Sequence, residues 1–359
     1  IFYSFSMISC INLLGGNNMN QTQDFTKGVI WKQLLFFFFP ILIGSFFQQL
    51  YNTVDTIIVG QAVGTSALAA VGSTGNLTSL IVNFYVGLST GASVVIAQYY
   101  GAQNNKKIHQ AVHTSYSLAI VSGILMMLFG LFFSYQCLDA IGTPHDILND
   151  ATLYMQLYFL CMIPGAIYNI GAGILRAVGD SKRPLYYLIV CSIVNVVFDY
   201  IFVVIFHQGI AGAAIATVIA QFVCAILVTF QLMRTNEVYK LTLSKMKFHL
   251  PVLEKIIMIG APAGIQSTMY SISNIVLQSH INAFGTQTIA SWSVYVKIDA
   301  LFWMMVAAIG AAITTFSGQN YGAHLHDRIK KGTRTALAMA FVMTISISTI
   351  LCLTGSYIT

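Results

Sequence analysis

From Leu34 to Gly60 the chain carries a single charged residue, Asp55, within an otherwise apolar run. A segment of ~20 apolar residues is long enough to cross the hydrocarbon core of a bilayer as a helix. Eight more such runs follow, giving predicted spans at 33–60, 67–98, 110–135, 151–175, 185–206, 210–233, 256–283, 287–316 and 333–356. Only 8% of the 359 residues are charged, against about 25% in soluble domains, so the chain cannot cover a water-facing surface. The fold class is therefore an all-α polytopic membrane protein. Its solvent is lipid, and its partners do not include nucleic acid, because the basic residues form no patch with interleaved aromatics. The six cysteines lie far apart with no CxxC and read as small apolar helix residues.

The loops orient the chain. Lys27 and Lys32 precede the first span, Lys106 and Lys107 follow the second, and Arg176, Lys182 and Arg183 follow the fourth. Arg234, Lys240, Lys245, Lys247 and Lys255 lie between the sixth and seventh spans, and Arg328, Lys330, Lys331 and Arg334 between the eighth and ninth. The alternate loops carry no Lys or Arg, and the one after the third span has Asp139, Asp146 and Asp150 instead. All basic residues but Lys297 thus fall on one side, which the positive-inside rule makes cytoplasmic, N-terminus included. Residues 1–18, IFYSFSMISCINLLGGNN, have no signal-peptide pattern and read as translated upstream sequence, with Met19 as the start of a bacterial protein.

The chain also repeats itself. AQYYGAQNNKKIHQAVHTS at 97–115 matches GQNYGAHLHDRIKKGTRTA at 318–336, with Gly101 over Gly322 at a lag of 221. Pro40 pairs with Pro262 and Asn52 with Asn274 at a lag of 222. Six spans separate the copies, so both have the same orientation, a parallel repeat about an axis along the membrane normal. The expected organisation is a tail at 1–26, a six-helix N-terminal lobe at 27–234, a linker at 235–255 and a C-terminal lobe at 256–359. The second copy stops after three spans, leaving about nine helices of an expected twelve, with about 100 residues wanting. Gly101 and Gly322 are expected to cap helix ends, and Gly179-Asp180 to sit in a solvated salt-bridge cluster.

Gln48, Asn52 and Asp55 recur at i, i+4 and i+7, one polar stripe on the first span. Asn195 and Asp199 share a face at i, i+4 on the fifth. At 1.5 Å per residue, Asp55 lies ~8 Å below its span's outer end, and Asp199 and Thr217 ~10 Å below theirs. Oxygen-bearing groups from three helices thus stand at one level. Intramembrane carboxylates are functional by default because isolation there costs several kcal/mol. In the second half the counterpart of Asp55 is Leu277; Gln266, Asn274 and Gln278 form a neutral stripe, and Lys297 and Asp299 are the remaining intramembrane charges. Tyr51, Tyr85, Phe46, Phe84, Met304 and Met305 read first as packing and second as a greasy cleft wall.

These features together resemble the multidrug and toxic compound extrusion (MATE) family. The resemblance rests on the first span with Pro40 and a late Asp55, the duplicated GQxYGA element, LRAVGDSKRP after the fourth span and NVVFDYIF in the fifth. It implies twelve helices in two six-helix lobes and antiport of drugs or organic cations against Na⁺ or H⁺ in the bacterial cytoplasmic membrane, without a cofactor. It also implies a cation or proton site at Asp55, Asn195, Asp199 and Thr217, and a substrate cleft reached by Gln48, Tyr51, Asn52, Gln266, Asn274, Gln278, Lys297 and Asp299. A monomer is expected. The family's fold relatives include flippases for lipid-linked saccharides, a rival reading that wants several cationic cleft residues where this chain offers Lys297. An intramembrane aspartyl enzyme would want YD and GxGD within spans, which are absent. A version extended by about 100 residues is expected to confer drug resistance that the 359-residue chain does not. Resistance from the shorter chain would break the repeat argument.

Overall fold

The computed structural model describes residues 22–282, 284 and 286–358, and a few side chains within them, Gln278 and Lys297 included, lie outside the described set. Met19 and the tail before it also lie outside. Among the described residues there is no strand. The long helices are α1 (Ile30–Ala62), α2 (Thr65–Gly101), α3 (Asn105–Ala140), α4 (His145–Phe159), α5 (Met162–Ala177) and α6 (Lys182–Asp199), followed by α7 (Gly209–Arg234), α8 (Leu250–Asn282), α9 (Thr286–Gly322) and α10 (His326–Ile358). Each predicted span falls on a helix or helix pair. Six stretches are long and apolar enough to cross a bilayer, in α1, α2, α3, α6 with its continuation, α7 and α9, and the α4–α5 pair makes a seventh. Helices α8 and α10, 33 residues each, have the length to cross but carry more polar residues.

The fourth span is not one helix. Helices α4 and α5 meet at a 45° bend. Pro164 has no N–H to give the Leu160 carbonyl, and its ring crowds that oxygen, so the α-ladder fails there. The chain turns through tighter bonds, Leu160 N–H to Leu157 O at 3.1 Å and Cys161 N–H to Tyr158 O at 2.9 Å. Pro40 and Pro262, the repeat-matched pair, both sit inside their helices.

Glycine decides where the two halves meet. A Cβ on Gly87 would lie 2.2 Å from the Gly264 nitrogen, and one on Gly91 would lie 2.5 Å from the Ile256 carbonyl oxygen. Gly87-xxx-Gly91 on α2 thus faces Gly260-xxx-Gly264 on α8, backbone against backbone, the small-xxx-small packing that helices in lipid favour. A second crossing joins the repeat-matched elements themselves. A Cβ on Gly101 would lie 1.8 Å from the Gln319 carbonyl oxygen, and one on Gly322 would lie 1.9 Å from that of Gln98. The capping expectation for Gly101 and Gly322 is therefore corrected. Each ends its helix, but the left-handed residues are Gln103 (φ 50°) and His324 (φ 58°), two positions on. The glycines are there because a side chain would hold the helices apart.

Each half's leading segment is tied to the other half at the lysine- and arginine-rich end. Ahead of α1, Phe25 is fully buried and lies edge-on to Phe37 and Phe316, with centroids at 5.1 and 5.8 Å. Its N–H donates to Gln319 Oε1 (3.1 Å), and its carbonyl accepts from Asn320 Nδ2 (3.1 Å) and Arg328 Nε (3.0 Å). Gln319 Nε2 continues to the Ala177 carbonyl (2.8 Å), while Gln23 N–H reaches the Gly179 carbonyl (3.2 Å). Ahead of α8 the linker binds back to α3. The Thr242 N–H donates to His113 Nε2 (3.0 Å) and the His249 N–H to Thr114 Oγ1 (3.2 Å). Accepting at Nε2 leaves the His113 proton on Nδ1, which donates to the His109 carbonyl at 2.7 Å.

Gly179-Asp180 is likewise not a solvated cluster. Asp180 is 8% exposed, pairs with Arg183 at 3.1 Å and accepts the Arg183 N–H at 3.1 Å, so it caps the start of α6. Burial pushes its carboxyl above the usual carboxylate range, against the pull of those bonds. Gly179 has φ 91°, and the Gln23 backbone fills the space where a side chain would start.

Gly91→Leu or Gly264→Leu should cost at least ~1–3 kcal/mol, the usual overpacking range, and reduce the yield of folded protein in detergent. Gly310→Ala, where an added Cβ meets nothing within 4 Å, is the matched control and should keep the wild-type melting temperature. Equal losses at Gly91 and Gly310 would show that the crossing is not what the glycines serve.

Candidate ion-coupling site and its cavity

The site is assembled from four helices. Helix α1 brings Asp55, α6 brings Asn195 and Asp199, α7 brings Thr217 and α4 brings Tyr154 and Tyr158. Asp199 is fully buried and Asn195 is 1% exposed, while Asp55 and Thr217 are half-buried. Asn195 Nδ2 donates to Thr217 Oγ1 at 3.4 Å, and Thr217 passes its own proton to the Ala213 carbonyl at 3.1 Å. Helix α6 changes character at Asp199: a π-helical stretch, Tyr200–Ile205, follows, with Phe206 N–H reaching back to Ile201 O at 2.9 Å. Such bulges shift the register of a helix face and recur at functional sites.

Four oxygens of this cluster lack donors. Asp55 Oδ1, Asn195 Oδ1 and both carboxyl oxygens of Asp199 are buried and receive no hydrogen bond from the described residues. The Asp55 and Asp199 carboxyls interact with each other directly. Two ionised carboxylates are acceptors only, so their contact offers no donor to either. A buried pair of like charges is unstable until something positive joins it. The arrangement can take up one proton, shared between the carboxyls. It can equally take a hard cation, with Asn195 Oδ1 and Thr217 Oγ1 as further oxygen ligands.

The phenols of Tyr51, Tyr154 and Tyr158 stand within electrostatic reach of Asp55. Tyr154 and Tyr158 escaped the sequence analysis, although their i, i+4 spacing inside an apolar span was a visible signal. A cavity of about 200 Å³ extends from Asn195 and Thr217 along Tyr51, Gln48, Tyr158 and Cys161 toward Tyr168, Arg176 and Ser181. Gln48 and Tyr51 line it, but Asn52 does not; it is exposed, and its carbonyl accepts the Thr56 hydroxyl at 2.8 Å. The polar stripe of α1 thus splits, because i+4 and i+3 steps from Gln48 fall on either side of the cavity edge. Cys191 and Cys224 line the same cavity and form a disulfide with Cα atoms 5.9 Å apart, which corrects their reading as unpaired apolar residues.

In the second half, Gln266 and Asn274 are exposed on α8 and Asp299 is half-buried on α9. None of them lies in the cavity. Asn83 of α2 donates to Ser271 of α8 at 2.9 Å, a polar link between halves that the sequence did not suggest. Tyr85 is a packing residue, 3% exposed with its hydroxyl on the Ser122 carbonyl at 2.6 Å.

Comparison with known proteins agrees with this architecture. The protein family MatE matches residues 40–201 and 262–359, two stretches that begin at the repeat-paired Pro40 and Pro262. A relative named probable multidrug resistance protein YoeA, from Bacillus subtilis (strain 168), is 28% identical over 90% of this chain and 71% of its own length. Multidrug export protein MepA of Staphylococcus aureus (strain NCTC 8325 / PS 47) is 20% identical over 94% of this chain and 73% of its own. Among solved structures, the outward-facing conformation of a multidrug resistance MATE family transporter superimposes with a TM-score of 0.88 at 24% identity, covering 94% of this chain and 75% of that one. A MOP superfamily transporter from Pyrococcus furiosus gives 0.86 at 25% identity, covering 93% and 75%. The chain is a bacterial-type multi-pass membrane transporter, not an enzyme, and it belongs to the MATE family of multidrug efflux proteins.

Proposed function

We propose that this protein exports drugs or organic cations across the bacterial cytoplasmic membrane in exchange for inward-moving H⁺ or Na⁺. The observation that carries the reading is the Asp55–Asp199 contact, with buried oxygens that lack any donor. A site that needs a positive charge to be stable is one whose occupancy can bias a conformational equilibrium. The basic end is cytoplasmic by the positive-inside rule, and it is the end closed by the glycine crossing and the two straps. Lobes at 27–234 and from 256 onward, joined by the linker 235–255, rock about that contact. When the ion neutralises the carboxyl pair, the pair no longer repels itself and α1 is free to repack; the drug leaves from the cleft between halves before the ion enters. The protein works as a monomer.

A flippase for lipid-linked saccharides is not favoured. The groups near the carboxyl pair, Asn195, Thr217 and the phenols of Tyr51, Tyr154 and Tyr158, are neutral, the cavity's one cation, Arg176, stands at its far end, and the relatives carry drug-export names.

In the version extended by about 100 residues, Asp55→Asn and Asp199→Asn should each reduce gradient-driven export in proteoliposomes to background while drug binding in detergent survives at least in part. The amide keeps shape and hydrogen bonding but cannot exchange its charge. Leu277→Ala, at the repeat-matched place, should be mild. Wild-type export by both Asn variants under an imposed gradient would reduce the pair to packing. Asn195→Ala separates the two ions: it removes a cation ligand, so Na⁺-driven export should fall steeply, whereas a proton shared by two carboxyls needs no such ligand and H⁺-driven export should persist.

A further inference from the structure

The cavity that reaches Asn195 and Thr217, but neither carboxylate, has an unusual floor. Its wall on α6 runs from Asn195 through Cys191, Leu188, Leu185 and Pro184 to Ser181, ~20 Å of helix at 1.5 Å per residue. Gln48, Asn169 and Gln221 add polar groups along that length. A space of about 200 Å³ with such walls holds several waters, since each needs ~10–15 Å³ of this measure and two or more polar partners. The cavity is lined by residues of the first half alone; it includes Asn195 and Thr217 but neither carboxylate, and it leads from those two groups toward the basic end.

At that far end stands Arg176, half-buried in the last turn of α5. Among the described residues no carboxylate is within ion-pair distance of its guanidinium; Asp180, four positions on, is held by Arg183 at 3.1 Å. Its electrostatic neighbour is the Tyr168 phenol, whose hydroxyl donates to the Pro184 carbonyl at 3.3 Å. Behind it the turn 178–181 is covered by the Gln23 strap. A cation held at Asp55 and Asp199 would reach this wettable shaft by way of Asn195 and Thr217 and meet, at its far end, a positive charge with no ion-pair partner among the described residues.

We propose that Arg176 is the residue that couples transport by blocking this shaft: its charge keeps a proton or Na⁺ at the carboxyl pair from passing straight through the N-terminal half to the cytoplasm. The block is electrostatic, so it needs the charge and not the shape of the side chain. Guanidinium suits the place because it stays ionised where a lysine could shed its proton on burial. The inference rests on the carboxyl pair being the ion-coupling site.

The test is passive ion entry into proteoliposomes with no drug present, followed by ²²Na⁺ uptake and by a trapped pH dye. Arg176→Gln should leak at least tenfold faster than wild type while retaining drug binding in detergent. Arg176→Lys should leak less than Arg176→Gln. Adding Asp55→Asn to Arg176→Gln should close the leak again, because the ion then has no carboxyl pair to enter by. If Arg176→Gln does not fold, Arg176→Met replaces it: it keeps much of the side chain's length without the charge and should leak at the same raised rate. Wild-type leak rates in Arg176→Gln, or in Arg176→Met where it is the variant that folds, would overturn the block while leaving the coupling reading standing. Absence of gradient-driven export by the version extended by about 100 residues would instead refute the coupling reading itself, and a leak that survives Asp55→Asn would overturn the block by showing that ions do not enter by the pair.

Discussion

Everything at the basic end depends on helices touching without side chains between them. In lipid the hydrophobic effect gives helices little reason to associate, so packing contacts and hydrogen bonds must hold them. Gly87, Gly91, Gly260 and Gly264 let α2 and α8 meet backbone to backbone, and Gly101 and Gly322 do the same for α2 and α9. Only at that separation can Gln319 reach both the Phe25 N–H and the Ala177 carbonyl, and so link the strap, the N-terminal half and α9 through one amide. The bonds there are between neutral groups or backed by Arg328, and their donors and acceptors are largely buried. Each is expensive to leave unmade.

The carboxyl cluster follows a different logic. Where the basic end is satisfied, the carboxyl cluster is left wanting, with Asp199, Asn195 and Asp55 oxygens buried and without donors. Proteins seldom keep such groups unless something else completes them. The repeat makes the contrast sharper. The two halves share their prolines and their QxYGA helix ends, yet Leu277 stands where Asp55 has its counterpart, so the fold was duplicated and the charge was not.

The spans, the repeat and the levels of Asp55, Asn195, Asp199 and Thr217 were legible in the sequence because each rests on a period: ~20 apolar residues for a bilayer, 3.6 for a helix face, 221 or 222 for the copy. What was not legible depends on contacts between distant segments. The break between α4 and α5 was signalled by Pro164 alone, which can also sit in a first helical turn without effect. The roles of Gly101 and Gly322 were misjudged because a glycine near a helix end suggests a cap, and only the approach of Gln319 and Gln98 shows otherwise. Cys191 and Cys224, 33 residues apart, carry no spacing signal, and Tyr154 and Tyr158 join the site only because the bend brings α4 toward α1 and α7.

The straps have a further meaning when viewed as ancestry. Residues 23–28 belong to the first copy and are bound by Gln319, Asn320 and Arg328 of the second; residues 242–249 lead into the second copy and are bound by His113 and Thr114 of the first. Cut the linker and make the copies identical, and the result is a parallel two-fold dimer whose subunits exchange their leading arms. Arm exchange of that kind makes each subunit's fold complete only in the presence of its twin. Gene fusion would then have changed little at the interface, while freeing one copy to keep Asp55 and the other to lose it.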